Sequence, residues 1–103
     1  MKLGFFVTNQ YLPGESMSEK IQESSEQVRA ARDAGFSLIA TGQHYLAAPY
    51  QMSTSFTLLS RLAADAGDMQ VAATVILVPL HNPVELAESV STLDAITNGK
   101  FVF

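Results

Sequence analysis

The stretch from Val71 to Thr97, VAATVILVPLHNPVELAESVSTLDAIT, constrains the fold more than any other part of the chain. Its first eight residues, Val71 to Val78, carry no charge, and four of them are Val or Ile. Such a run predicts a strand covered on both faces, as in a parallel sheet. Pro79 ends it, because proline has no N–H for a central ladder. Asn82 then offers an N-cap oxygen, Pro83 suits the first helical position, and Glu85 sets negative charge on the positive end of the helix dipole. Leu86, Val90, Leu93 and Thr97 follow at helical spacing, and Gly99 is the expected stop. A strand, a turn and a capped helix in unbroken succession point to an α/β protein built from parallel β/α units.

The rest of the chain repeats that unit. Leu3 to Val7 (LGFFV) is a short apolar run and the first predicted strand. Asn9 to Met17 is a loop containing Pro13-Gly14. Ser16 and Glu19 have capping-box spacing, followed by the stripe Ile21, Ser24, Val28, Ala31 and Ala34, with Gly35 as terminator. Phe36 to Thr41 (FSLIAT) is the second strand, and Gly42 to Met52 is a loop rich in polar and aromatic groups. A second helix starts at Ser53 or Thr54, turns Phe56, Leu59, Leu62, Ala63 and Ala66 to one side, and stops at Gly67. Lys100 to Phe103 begins a fourth strand.

The order β-α-β-α-β-α-β fits either a doubly wound sheet or the first half of a TIM-type β/α barrel. A doubly wound nucleotide domain normally carries glycines in its first βα turn. Here that turn reads TNQYLPGES, which has neither a GxGxxG nor a GKS/GKT pattern. The barrel is the expected fold. Four strands of the eight that close a barrel leave two open edges. The expectation is therefore one domain, residues 1–103, forming a truncated amino-terminal half-barrel.

Composition narrows the function classes. Hydrophobic residues make up 48% and charged ones 16% of the chain, which describes a core-rich globular protein. The net charge is −4 and no basic stripe is present, so nucleic acid is not an expected partner. With no cysteine there is neither a disulfide framework nor a thiolate site, consistent with a cytoplasmic protein. Met1 to Val7 is too short and too promptly broken for a signal peptide or a membrane span.

In β/α barrels the chemistry sits at the carboxyl ends of the strands. Three loops qualify: Thr8 to Ser16, Gly42 to Met52 and Pro79 to Asn82. The second is the richest, with Gln43, His44 and Tyr45 directly after strand two. His44 is the candidate acid or base, because imidazole titrates near neutrality; otherwise it is a loop histidine bonded to nearby backbone. His81 is the other histidine. Two histidines on separate loops without a carboxylate cluster do not make a metal site, so none is expected, and His81 is read as shaping the start of the third helix. Glu85 and Asp94 are read as capping or solvated. Thr74 is a polar residue in an apolar strand and is expected to find a hydrogen-bond partner.

Three segments carry a family resemblance: KLGFFV, GFSLIATGQHY, and VAATVILVPLHNPVELAESVSTLDAITNGKFVF. The last is the most specific, with its V-P and N-P turn, its E-x3-V-x2-LD helix and its N-G-K-F ending. The chain resembles, along essentially its whole length, the amino-terminal part of the bacterial luciferase-like family, flavin- or deazaflavin-dependent oxidoreductases on a β/α barrel. The family histidine after strand two, found in an E-H-H context, falls on His44. Here Gln43 replaces the preceding acid and Tyr45 follows. The resemblance implies that His44 lies near the reactive edge of the flavin and assists its oxygen chemistry. It also implies a non-proline cis peptide at Thr74-Val75, on which the flavin ring rests. Family positions that hold the flavin phosphate lie beyond Phe103.

The implied activity is that of a monooxygenase. Reduced FMN, supplied by a separate reductase, and oxygen act on a small organic substrate; the deazaflavin branch transfers hydride instead. Two other readings stand beside it: a non-catalytic half-barrel that self-associates through its open edges, and a flavodoxin-type binding module. The 103-residue chain by itself is expected to lack turnover. Full family members commonly dimerise through helices near this part of the barrel, so a homo-oligomer is expected.

Overall fold

The computed structural model describes all of residues 1–103. Its central sheet contains β1 (Gly4–Phe6), β3 (Leu38–Thr41), β5 (Gln70–Ala73) and β6 (Phe101–Val102), in that order and all parallel. Each new strand is added beside its predecessor on the same side. A doubly wound sheet reverses direction partway, so this order is that of the first four strands of a β/α barrel. The crossovers are α1 (Met17–Asp33), α2 (Ser55–Ala66) and α3 (Pro83–Ile96). No helix is long and apolar enough to cross a membrane.

The helices begin where local chemistry places them. Ser16 Oγ accepts from the Glu19 amide, and Asn82 Oδ1 accepts from Val84 and Glu85 amides, satisfying N–H groups that have no partner within the helix. Thr54 precedes α2. Gly67 follows it at φ +59°, with Arg32 Cδ only 2.9 Å from where a β-carbon would stand.

Strand register sorts the two faces of the sheet. Phe5, Ile39, Val71 and Phe101 stand side by side across the four strands. They pack with Val28, Leu58, Leu59, Leu62 and Leu93 of the helices into one core. Because side chains alternate along a strand, the adjacent row Phe6, Ala40, Ala72 and Val102 points to the opposite face. Ala40 and Ala72 are small enough to be covered by their neighbours, whereas Phe6 remains 59% exposed.

Two features differ from the sequence reading. The third strand, expected over Val71 to Val78, runs only from Gln70 to Ala73. Beyond it the neighbouring strands have ended, and the apolar run leaves the sheet, passing through a 3-10 turn at Val78–Leu80. Val75, Val78 and Leu80 are exposed. Thr74, expected inside that strand with a partnered hydroxyl, is instead exposed at its end, and the bond it makes to β3 is through its backbone N–H to the Thr41 carbonyl at 2.9 Å. The loops after β1 and β3, read as irregular, also pair with each other. Residues Gln10–Tyr11 (β2) and Gln51–Met52 (β4) form a short antiparallel ribbon.

Candidate functional site

The carboxyl ends of β1, β3 and β5 converge on one loop, Gly42 to His44. Thr41 ends β3 fully buried, and its hydroxyl donates to the Val7 carbonyl at 2.8 Å, tying β3 to the end of β1. Gly42 is the pivot of the arrangement. A β-carbon there would lie 3.0 Å from the Thr74 carbonyl oxygen and 3.6 Å from the Phe6 ring. Only a residue without a side chain lets the β3 loop approach the end of β5 so closely.

Asn9 holds Gly42 from the other side. It is buried, and its Nδ2 donates to the Gly42 carbonyl at 2.7 Å and the Ser53 carbonyl at 3.2 Å. The Ser55 hydroxyl, at the first turn of α2, donates to the same Gly42 carbonyl at 2.6 Å. Both lone pairs of one carbonyl are thus used by buried donors, which fixes the peptide that leads into His44. Local sequence marks Asn9 and Ser55 only faintly. A polar residue following an apolar strand, and a second serine beside Ser53, were the only signals.

Gln43 ties the loop to the segment after β5. Its backbone N–H donates to the Val75 carbonyl at 3.0 Å. Its Oε1 accepts from the Leu77 amide at 2.9 Å and lies 3.1 Å from His81 Nε2. The His81 ring also meets Phe56 of α2 edge-on, with centroids 6.3 Å apart. His81 therefore does more than introduce α3; it joins the second and third strand-end loops.

His44, the candidate acid or base, is exposed at the open end of the sheet. Thr74 and Val75, the candidate cofactor residues, are also exposed, Val75 at 64%, on the segment that the Gln43 N–H ties to the His44 loop. The Thr74-Val75 peptide bond is cis, at the position where the resemblance places one. The fold thus brings His44, Thr74 and Val75 to the same end of adjacent strands, with the Phe6 ring on the same side. The loops 8–16, 42–54 and 74–82 contain neither lysine nor arginine. Their one charged side chain is Glu15, which pairs with Lys20 of α1 at 3.3 Å; around His44, Thr74 and Val75 the loops 42–54 and 74–82 carry no acid, lysine or arginine.

Comparisons with known proteins place the fold and the family. The family model of the luciferase-like monooxygenases matches residues 1–103. A 2,5-diketocamphane 1,2-monooxygenase of Pseudomonas putida is 27% identical over 101 residues, covering 98% of this chain and 28% of its own length. The oxygenating constituent of 3,6-diketocamphane monooxygenase from Pseudomonas putida, solved with FMN, superposes with a TM-score of 0.83 at 18% identity. All of this chain and 29% of that one are covered. An F420-dependent secondary alcohol dehydrogenase, solved with an F420-acetone adduct, gives 0.77 at 16% identity, covering 98% of this chain and 31% of its own. At these identities the two structures speak to the fold alone. The parallel sheet with its external crossover helices has the strand order of a β/α barrel. The chain belongs to the bacterial luciferase-like monooxygenase family, and spans less than a third of the length of these relatives.

Proposed function

We propose that this chain supplies the amino-terminal part of a flavin-dependent monooxygenase that uses reduced FMN and oxygen to oxygenate a small organic substrate. The observation that carries the reading is that the N–H of Gln43, the residue before the exposed His44, donates to the Val75 carbonyl at 3.0 Å and so ties the His44 loop to the exposed Thr74–Val75 segment.

The residues fit a flat tricyclic ring. Val75 and Phe6 are apolar and exposed although they lie at strand ends, where a soluble protein gains by covering them. A ring laid on Thr74 and Val75 removes that surface from water, and loops 42–54 and 74–82 carry no acid, lysine or arginine to be desolvated by its apolar part. Bound reduced FMN supplies the electrons and the centre at which oxygen is activated. Thr74 and Val75 support one face of the ring; Phe6 and Val75 keep water from it. His44 holds or delivers a proton at the edge of the ring. The phosphate needs cationic or amide partners, and with no lysine or arginine on the three loops its side-chain cations come from elsewhere in the protein.

The FMN reading is supported by the 3,6-diketocamphane monooxygenase solved with FMN. Hydride transfer with a deazaflavin is the second reading, supported by the F420-dependent dehydrogenase. The remaining partners are an organic substrate, oxygen, a separate flavin reductase, and a second copy of the chain meeting it through the outer helices. An anaerobic titration with reduced FMN and, in parallel, a reduced deazaflavin, followed by fluorescence, tests the reading. Saturable binding of FMN, weakened by Val75→Asp, is expected. Preference for the deazaflavin selects the second reading, and binding indifferent to Val75→Asp removes the proposed site. Oxygenation turnover by the 103-residue chain alone is not expected.

A further inference from the structure

Gln43 and His81 are assigned no part in the chemistry above, yet they are joined across 38 residues of sequence. The Leu77 backbone N–H can only donate, so the Gln43 atom 2.9 Å away is its acceptor oxygen. The same oxygen faces His81 Nε2 at 3.1 Å, and a bond there requires the hydrogen to sit on Nε2. Phe56 fixes the plane of the His81 ring from another direction, at 90°. Gln43 also donates its own N–H to the Val75 carbonyl. One residue thus grips the segment from Val75 to His81 at three points, while its neighbour Gly42 lies against Thr74. The side-chain bonds between the His44 loop and the segment after β5 are made by Gln43, while the ring of His44, the next residue, is exposed.

We propose that Gln43 and His81 form a positioning pair. The Gln43 side-chain oxygen, shared between Leu77 N–H and His81 Nε2–H, sets where His44 stands relative to the Thr74–Val75 peptide. The purpose assigned to the pair rests on the flavin reading of His44; the pair itself does not. Gln43 does this as a neutral acceptor. It orders the loop without placing a charge beside the imidazole.

Long-range 1H–15N spectra of the histidine rings test the proposal, together with amide exchange at Leu77, on the wild-type chain, Gln43→Leu and Gln43→Glu. Wild-type His81 is expected as the Nε2–H tautomer. Gln43→Leu is expected to give a mixture of tautomers, to shift the His44 ring signals, and to speed exchange at Leu77 about fivefold, the equivalent of one hydrogen bond of about 1 kcal/mol. Gln43→Glu keeps the acceptor and is expected to keep the hydrogen on His81 Nε2 and to restore the protection of Leu77. An Nδ1–H tautomer in the wild type overturns the proposal, as do His81 and His44 signals unchanged in Gln43→Leu. Should Gln43→Leu fail to fold, the wild-type tautomer and the Gln43→Glu spectrum decide. Flavin is absent from this experiment, so its outcome and that of the FMN titration are read separately.

Discussion

Replacing Asn9 by alanine tests how the loop bearing His44 is held. Asn9 is 4% exposed and gives two well-formed hydrogen bonds, at 2.7 Å to the Gly42 carbonyl and 3.2 Å to that of Ser53. The 3.5 Å approach to Ser55 Oγ is too long to add much. Two neutral hydrogen bonds at about 1 kcal/mol each give an expected loss of about 2 kcal/mol for Asn9→Ala. For a chain of this length that lowers the Tm by about 10 °C. Ser55→Ala removes the 2.6 Å bond to the same Gly42 carbonyl and is expected to cost about 1 kcal/mol, reduced slightly by the better helix propensity of alanine. In each single variant the Gly42 oxygen keeps one donor. Only the double variant leaves it with neither, and an orphaned buried carbonyl costs about 1–3 kcal/mol more than a lost pair. Urea unfolding of the four proteins, followed by circular dichroism, is therefore expected to show a double-mutant loss exceeding the sum of the singles by about 1 kcal/mol. Additivity within about 0.5 kcal/mol, or a loss under about 0.5 kcal/mol for Asn9→Ala, refutes the idea that these two donors jointly fix the loop.

Gly42→Ala forces a β-carbon to 3.0 Å from the Thr74 carbonyl oxygen, a backbone atom that cannot swing aside; a loss of about 1–3 kcal/mol in chemical unfolding is expected. His44→Ala is expected to leave stability within about 0.5 kcal/mol of wild type, because the ring is exposed, while lowering the proposed flavin-dependent turnover about 100-fold or more in steady-state assays of a protein that completes the barrel. Asp65 joins α1 and α2 by accepting from Arg29 at 3.0 Å and from Arg61 at 2.8 Å. Partial burial opposes its ionisation, but the hydrogen bonds from Arg61 and Arg29 together outweigh that and hold its pKa below the ordinary aspartate range. A pKa lower in the folded than in the unfolded state contributes stability above the unfolded value and loses it as pH falls through the folded one. Asp65→Asn is expected to cost about 1 kcal/mol at neutral pH and nothing once the wild-type carboxyl is protonated. The two Tm curves then converge in acid; a constant gap from neutral pH downward contradicts the account.

The parts of this fold that were legible in the sequence are those determined within one turn or one strand. The Asn82-Pro83 start of α3 and the Ser16 cap of α1 are local hydrogen-bonding arrangements, so the residues themselves announce them. The alternation of apolar runs with helical stripes was enough for the parallel order, and hence for placing His44 at a strand end. The end of β5 was not legible. An apolar run reads alike whether it continues a strand or leaves the sheet exposed, and only the ends of the neighbouring strands decide that this run leaves at Thr74. The β2–β4 ribbon escaped because two residues a side show no periodicity. The Asn9–Gly42 and Gln43–His81 bonds escaped for a different reason: they join residues more than 30 positions apart, and nothing near either partner requires the other.

On the proposed reading, Gly42 to His44 and Thr74 to Leu77 make one surface that receives a flavin ring. Its most direct test is an amide 1H–15N NMR titration of the chain with FMN. The expected result is weak, saturable binding, with shifts confined to those two segments and to Phe6, and lost in Val75→Asp. Shifts centred on the outer faces of α1, α2 or α3, or no shift at millimolar flavin, contradict the claim.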